Sequence, residues 1–299
     1  MERKVINFKK ARDFGDLLSD TFEFLKIEFK PLMKVLLTYV GPFLLITGLV
    51  SGWYQSEVFG GMFDFKSNDP QEVFNKIFDY RYFILIIGSL CSYVFMIGGV
   101  YSYIDLYIHK GPDEFSPEDV WKLMLQKFFP ILGAMILVGL IVGVGFIFCI
   151  APGIYLFVIF SLVVPAIVFG NMGVGQGMER STSLVKDYFW FTLGVGFVSS
   201  LIAGFGSYIF IIPQMVLSMF FTFTSASGGD MGMSSTYSVL LTISTVIATF
   251  GSSLLYCIPY TTMAMHYHSQ VEKKESPNLI NKINQINQPN EKEDSGFGF

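Results

Sequence analysis

Charged residues are missing from long stretches of this sequence. Only 15% of its 299 residues are charged, whereas soluble domains carry about a quarter. The charge-free stretches run from Lys127 to Glu179, Asp187 to Asp230, Asp230 to Glu272, Lys34 to Glu57 and Arg81 to Asp105. A soluble amphipathic helix would show a polar outer face, but a bilayer span needs about 20 apolar residues. We therefore expect an integral membrane protein with six spans.

The regular alternation of polar and apolar residues that is typical of membrane strands is also missing. Residues 131–150 read ILGAMILVGLIVGVGFIFCI and do not alternate. No secretory signal is recognisable, because the first apolar run begins only near Val35 and no cleavage site follows. The sequence therefore predicts an all-α membrane protein that keeps its first span.

Reactive motifs are scarce as well. The three cysteines, Cys91, Cys149 and Cys257, fall in predicted spans without a CxxC pair, which is typical of small apolar fillers. No GxSxG or HExxH motif occurs, and no span holds two carboxylates. We therefore expect no catalytic, cofactor-binding or metal site, no enzymatic activity and no nucleic-acid partner.

Six transmembrane helices are predicted, at about 35–55, 82–104, 129–149, 153–170, 190–212 and 237–264. The tight turn between the third and fourth is assigned to CIAPG, where Pro152 cannot continue a helix and Gly153 permits reversal. With both termini in the cytoplasm, 17 of the 20 Lys and Arg residues lie on the inner side. This bias predicts a bacterial cytoplasmic-membrane protein with both ends inside.

Each odd-numbered span follows a similar cytoplasmic segment, which we call an elbow: residues 13–32, 116–132 and 171–190. The elbows read as amphipathic helices, the first with an apolar face of Phe14, Leu18, Thr21, Leu25, Phe29 and Leu32. Asp13 with Asp16, and Ser116 with Asp119, are predicted to cap their helices. Such helices lie in the headgroup plane, where lysines bind anionic lipid headgroups. These lysines are Lys26, Lys30, Lys122, Lys127 and Lys186.

The elbows predict a threefold internal repeat. Its units span about 13–105, 114–171 and 174–265 within a membrane domain at 13–268. A short N-terminal segment (1–12) precedes this domain, and a C-terminal tail (269–299), rich in Asn, Lys and Glu, is expected to be disordered. Leu279, Ile283 and Ile286 in the tail offer a short apolar face to a protein partner.

Glycines at 173, 175 and 177 suggest a phosphate-binding loop, but the spacing of a P-loop and its preceding strand are both missing. We interpret them as a sharp turn out of span four. Small residues at close spacing, Gly139 with Gly143 and Gly194, Gly196, Gly204 and Gly206, predict close helix packing, with a subunit interface or ligand groove as the alternative.

Residues 152–196 resemble the membrane domain that accompanies some bacterial glycerophosphodiester phosphodiesterases and also occurs alone in bacterial membrane proteins. The residues that carry the resemblance are Pro152-Gly153-Ile154-Tyr155, Pro165, Arg180-Ser181, Lys186 and Phe189-Trp190. Family members often place an arginine where this chain has Val158-Ile159-Phe160. Their hydrolase activity resides in a separate soluble barrel, so the resemblance implies membrane architecture without that activity.

Two polar clusters are candidate functional sites. Asp105, His109, His266 and His268 lie at the inner ends of spans two and six, where they would bind a transition metal if these ends adjoin. The alternative is an ordinary membrane-boundary belt with neighbouring tyrosines. The second cluster comprises Glu179, Arg180, Lys186 and Asp187 in the third elbow, with a salt bridge from Arg180 to a neighbouring elbow as one option.

The function that we expect from the sequence is that of a non-enzymatic scaffold that organises the membrane through its elbows. The alternative is a transporter or flippase-like carrier of a lipid or small amphiphile. A carrier should have a polar cavity at mid-membrane depth, whereas a scaffold should have a closed apolar bundle and an exposed gripping surface.

Overall fold

The computed structural model describes residues 5–62, 79–226 and 235–275, and all regular structure in these ranges is helical. Within them, six helical stretches are long and apolar enough to cross a membrane. They are Phe14–Ser56, Tyr80–Lys110, Pro117–Phe148, Ile150–Phe169, Val174–Phe220 and Thr236–Glu275. The chain is therefore an all-α multi-pass membrane protein, as predicted. The predicted tail from residue 276 onward, including Leu279, Ile283 and Ile286, lies outside the described residues.

The described helices are α1 (Phe14–Val35), α2 (Gly41–Met62), α3 (Tyr80–Lys110), α4 (Pro117–Phe148), α5 (Ile150–Ile159), α6 (Val163–Phe169), α7 (Val174–Val185), α8 (Phe189–Ala226), α9 (Ser235–Leu255) and α10 (Cys257–Glu275). A π-helical turn, Leu36–Val40, joins α1 to α2, and a 3-10 turn, Lys186–Tyr188, joins α7 to α8. Spans one, two, three and five correspond to α2, α3, α4 and α8. Span four comprises α5 and α6, and span six comprises α9 and α10.

The start of α4 is capped as predicted. The Ser116 hydroxyl accepts a hydrogen bond from the backbone N–H of Asp119, whose carboxylate accepts one from the backbone N–H of Ser116. Pro117 takes the first helical position, where its missing N–H is not needed. The prediction for α1 was wrong in one respect, because Asp13 precedes the helix without a side-chain capping bond.

The turn between α4 and α5 lies earlier than predicted. Cys149 is extended (φ −170°, ψ 154°), and α5 already begins at Ile150. Pro152 fits inside the first turn of α5, where a proline costs no hydrogen bond. Gly153 is required for close approach instead, because a Cβ there would lie 2.4 Å from the Phe146 ring.

The glycine-rich stretch also turns differently from the prediction. Asn171 has the left-handed conformation that makes the turn (φ 50°), whereas Gly173 is extended and precedes α7. Gly175 and Gly177 lie within that helix. Gly177 permits α7 to approach α6, since a Cβ would lie 3.0 Å from Ile167.

Among the described glycines, the closest approach to the backbone of another span occurs between α2 and α9. A Cβ at Gly52 would lie 2.7 Å from the Cα of Thr242, and one at Gly48 would lie 3.1 Å from the Cα of Val246. This pair is a small-xxx-small motif that brings two backbones together. Of the glycines predicted for this role, Gly206 lies close to Leu255, whereas Gly139, Gly143 and Gly204 have no neighbouring atom within 4 Å of a built Cβ.

The buried face of α1 differs from the predicted one. It comprises Leu17, Thr21, Phe24, Glu28, Leu32 and Val35, of which the prediction contained Thr21 and Leu32. The difference arises because α1 packs on the bundle: Tyr103 donates a hydrogen bond to Glu28 at 2.6 Å, and Thr21 contacts the Met265 sulfur. Phe22 and Phe29 are exposed on the other side of α1.

The N-terminal segment packs against the bundle where α1, α3 and α10 come together. Phe8 is buried, and the Ile6 N–H donates to the Tyr107 hydroxyl at 2.9 Å. Arg12 is 2% exposed. Its side-chain Nε lies 2.7 Å from the Asp20 carboxylate, and its backbone N–H donates a hydrogen bond to the Ser269 hydroxyl. Because α10 continues to Glu275, residues 269–275 of the predicted tail belong to the folded domain.

Candidate functional site

Spans four and six are each broken into two helices. Three residues, 160–162, separate α5 from α6, and Tyr256 separates α9 from α10. In both cases the third residue of the second helix is a proline, Pro165 or Pro259. A proline lacks the N–H that would bond the carbonyl four residues earlier and clashes with that carbonyl. The affected carbonyls belong to Ser161 and Leu255, at or beside the breaks.

A proline alone does not break a helix in this protein. Pro31, Pro130 and Pro213 lie inside the uninterrupted helices α1, α4 and α8. In a membrane, non-helical backbone is tolerated only where it is buried in protein or borders a cavity. The surroundings of the two breaks therefore indicate where a functional site lies.

The break in span four is closed by a side chain from the third elbow. The Ser181 hydroxyl donates to the Ile159 carbonyl at 2.6 Å and accepts from the Leu162 N–H at 3.2 Å. Ser181 is fully buried. One serine thus satisfies two backbone groups that the break leaves without helical partners.

An apolar groove of about 430 Å³ borders span four on its other side. Its lining residues are Ile154, Phe157, Val158, Ser161, Thr192, Leu193, Gly196, Phe197, Ser200 and Met263. Two of its three hydroxyls are already bonded, Ser161 to the Val158 carbonyl and Thr192 to the His266 ring. The groove therefore offers little polar chemistry.

The break in span six borders a cavity of a different kind, with a volume of about 240 Å³ between α2, α3 and the two helices of span six. The lining residues are Leu44, Thr47, Ser51, Ser89, Ser92, Tyr93, Met96, Thr249, Ser252, Ser253, Tyr256 and Tyr260. Ten of the twelve carry a hydroxyl group, and none carries a charge at neutral pH. We call this the hydroxyl cavity.

Most of these hydroxyls are available to a ligand. Thr47 and Ser92 bond each other at 2.6 Å, and Ser252 bonds carbonyls of its own helix. The other seven make no side-chain hydrogen bond to another described residue; they are Ser51, Ser89, Tyr93, Thr249, Ser253, Tyr256 and Tyr260. Hydroxyls both donate and accept, so the cavity can bind polar groups of either kind.

The hydroxyl cavity lies near the middle of the predicted spans, since Thr47, Ser92 and Ser253 each occupy a central position in their span. The cavity did not follow from the residue types alone, because a serine or threonine within a helix commonly bonds a carbonyl of its own helix. A signal was nevertheless present. In each of the three spans the hydroxyls recur three or four residues apart, as Thr47 and Ser51 do, which places them on one helix face.

The third-elbow cluster is only partly assembled. Arg180 forms a two-pronged ion pair with Glu275, and Asp187 bonds Lys274 at 2.6 Å. The partner of Arg180 is therefore α10 and not another elbow. The bond from Arg180 lowers the pKa of Glu275, and that from Lys274 lowers the pKa of Asp187.

The other two members of this cluster, Glu179 and Lys186, are exposed and take no part in these ion pairs. The cluster therefore fastens the third elbow to the end of α10. We call this pair of contacts the α10 clamp.

The cluster of Asp105 and the three histidines is separated into different environments. His109 lies 3.3 Å from Asp105 on the surface of α3. His266 is buried with its Nε2 2.9 Å from the Thr192 hydroxyl, whereas His268 packs on the rings of Phe8 and Phe169. Across residues 5–62, 79–226 and 235–275, no group of three or more potential metal ligands is assembled.

No family model, curated protein or solved structure matches the chain.

Proposed function

We propose that the protein is a carrier that moves a lipid or similar amphiphile within the membrane, with the hydroxyl cavity as its binding site. A polar cavity at the middle of the spans is what we expected of a carrier and not of a scaffold. The observation that carries the proposal is the set of seven unbonded hydroxyls at the broken span six. Broken spans are typical of the substrate sites of transporters.

The positions of the breaks support the predicted repeat. Spans four and six are the second helices of units two and three, and each has a proline at the third residue after its break. The second helix of unit one, α3, contains no proline and is continuous. In this proposal, the hydroxyl cavity lies where unit one meets unit three.

The carrier proposal involves no catalysis. A serine or tyrosine hydroxyl becomes a nucleophile only beside a base, and the lining of the hydroxyl cavity contains no His, Asp, Glu or Lys. Seven hydroxyls without a neighbouring base are suited to binding a substrate that is later released chemically unaltered. We place the protein in a bacterial cytoplasmic membrane with both termini inside, following the distribution of its lysines and arginines.

Lipid movement in proteoliposomes tests the proposal. The probes are acyl-fluorophore-labelled lipids, one glycosyl diglyceride and one phosphatidylglycerol, and dithionite quenches only the label in the outer leaflet. After dithionite is added, protein-containing vesicles should lose most of the fluorescence of at least one probe. Empty vesicles should keep the part of the fluorescence that comes from the inner leaflet. Ser253→Phe, which fills the hydroxyl cavity, should abolish the difference.

The matched control is Ser19→Phe, which adds the same ring at an exposed position of α1 that lines neither the hydroxyl cavity nor the apolar groove. It should leave lipid movement unchanged. The carrier proposal is wrong if wild-type vesicles behave like empty ones, or if Ser253→Phe moves the lipid at the wild-type rate.

The scaffold is the second candidate, and the exposed surface of the three elbows favours it. The large aromatic residues Phe22, Phe29, Phe129 and Trp190 are exposed there, the last two by more than three quarters. Lys26, Lys30, Lys122 and Lys186 are exposed beside them, as anionic headgroups would require. Lys127, in contrast, bonds Asn171 and the Ile167 carbonyl. In this proposal the elbows lie in the headgroup plane.

A scaffold would retain a stoichiometric protein partner through this surface. Replacing Phe129 and Trp190 together by serine would then release the partner from the solubilised complex and leave the chain folded. If no such partner is isolated and the protein moves lipid in vesicles, the carrier is the one candidate function that remains.

A further inference from the structure

We infer that the ligand of the hydroxyl cavity is a lipid whose headgroup is uncharged and rich in hydroxyls, as in a glycosyl diglyceride, and that lipids with a headgroup phosphate bind poorly. This inference deepens the carrier function proposed above and rests on it. It follows from the charge, the hydrogen-bonding capacity and the size of the cavity.

The charge of the lining excludes an anionic headgroup. The twelve lining residues include no Lys, Arg or His. A phosphate that left water for such a site would lose its hydration without gaining a cation, which is strongly unfavourable. The N-terminus of α10 offers little compensation, because Pro259 removes one of the N–H groups in its first turn.

The hydrogen-bonding capacity matches a polyol. Each of the seven unbonded hydroxyls can donate and accept, and so can each hydroxyl of a sugar. Tyr93, Tyr256 and Tyr260 add apolar ring surface beside their polar tips, which suits the alternating C–H and O–H groups of a sugar ring. An ionised phosphate only accepts hydrogen bonds, so it would leave the acceptor capacity of these hydroxyls unused.

The size of the cavity limits the headgroup. The cavity has a volume of about 240 Å³. This space admits one sugar-sized headgroup but not a long oligosaccharide. The acyl chains would then extend between α2, α3 and span six toward the surrounding lipid.

Native mass spectrometry of the full-length protein in detergent tests the inference with two lipids that have identical acyl chains. One is a monoglucosyl diglyceride and the other is phosphatidylglycerol. We expect the glucosyl lipid to bind at least tenfold more tightly. Replacing Ser89 and Ser253 together by alanine removes two hydrogen-bonding groups and should weaken its binding about tenfold.

Ser19→Ala serves as the matched control, since Ser19 is exposed on α1 and lines neither the hydroxyl cavity nor the apolar groove. The Ser19→Ala variant should bind both lipids with the wild-type affinity. In a second outcome, phosphatidylglycerol binds as tightly as the glucosyl lipid or more tightly, and the double alanine variant weakens that binding. These two results together would overturn the headgroup class and leave the carrier function standing. Binding of neither lipid, or binding that the double variant leaves unchanged, would overturn both.

Discussion

The two broken spans resemble each other in sequence and differ in what surrounds the break. Each has a proline at the third residue after the interruption. In span four, Ser181 reaches in from the neighbouring elbow and bonds the free backbone groups, and the adjacent groove is apolar. At the break in span six, seven hydroxyls from α2, α3 and span six line a cavity without a side-chain hydrogen bond to another described residue.

This difference separates a structural break from a binding site. Where the protein supplies its own partner, the polar groups are already satisfied and a ligand gains little by bonding them. Where the hydroxyls remain unbonded, a ligand can supply the missing partners. The comparison therefore predicts that the break in span four matters most for stability and that in span six for binding.

Gly52→Leu should have the largest effect, because it disturbs the contact that holds the wall of the hydroxyl cavity in place. The new Cβ would lie 2.7 Å from the Thr242 backbone, which cannot move without shifting α9. We expect a loss of about 3 kcal/mol in the free energy of unfolding. Denaturant unfolding in detergent, followed by far-UV circular dichroism, measures it.

Gly139→Leu is the matched control, since a Cβ at Gly139 has no atom within 4 Å. Leucine is also the better helix former by roughly 0.8 kcal/mol, so this variant should be as stable as the wild type or more so. Equal losses in the two variants would show that the α2–α9 contact is not as close as described.

Ser181→Ala should have the next largest effect. The variant leaves the Leu162 N–H and the Ile159 carbonyl without their partner in a buried place, at a cost of about 1–3 kcal/mol. Ser183→Ala, on the exposed side of the same helix, should change the free energy of unfolding by less than about 0.5 kcal/mol. The same unfolding measurement compares them.

The comparison is sharpened by Ser253→Ala at the other break. Its hydroxyl bonds no other described side chain or backbone group, so stability should stay within about 0.5 kcal/mol of the wild type. If Ser253→Ala destabilised the protein as much as Ser181→Ala, the distinction between a closed and an open break would be lost.

The membrane spans were predictable from the sequence, whereas the breaks and the cavity were not. Charges are so costly inside a bilayer that their absence alone marks a span. Proline is less decisive: Pro152 lies in the first turn of α5, Pro213 lies in the interior of α8 and Pro259 follows the break in span six. Only the neighbouring helices decide between these outcomes, and one sequence does not reveal them.

The candidate site was missed for a related physical reason. A serine in a span can bond its own helix, as Ser207 does to the Ala203 carbonyl, or face a cavity, as Ser253 does. The two states share one residue type and one helical environment. Likewise, Arg180 was predicted to belong to a functional cluster, but its partner Glu275 lies 95 residues further along the chain.

The α10 clamp should give the smallest effect. Arg180 and Glu275 are paired at the surface, where such pairs contribute about 0.5 kcal/mol. A double-mutant cycle with Arg180→Gln and Glu275→Gln, measured by unfolding at pH 7, should give a coupling of this size. Because Arg180 lowers the pKa of Glu275, the coupling is present above the usual glutamate pKa of 4.5 and is lost as the pH falls through the lower, folded-state value. A coupling that did not weaken as the pH fell would contradict the ion pair. A coupling larger than the Ser181→Ala effect would mean that this surface contact supports the fold more than the bonds at the break in span four do.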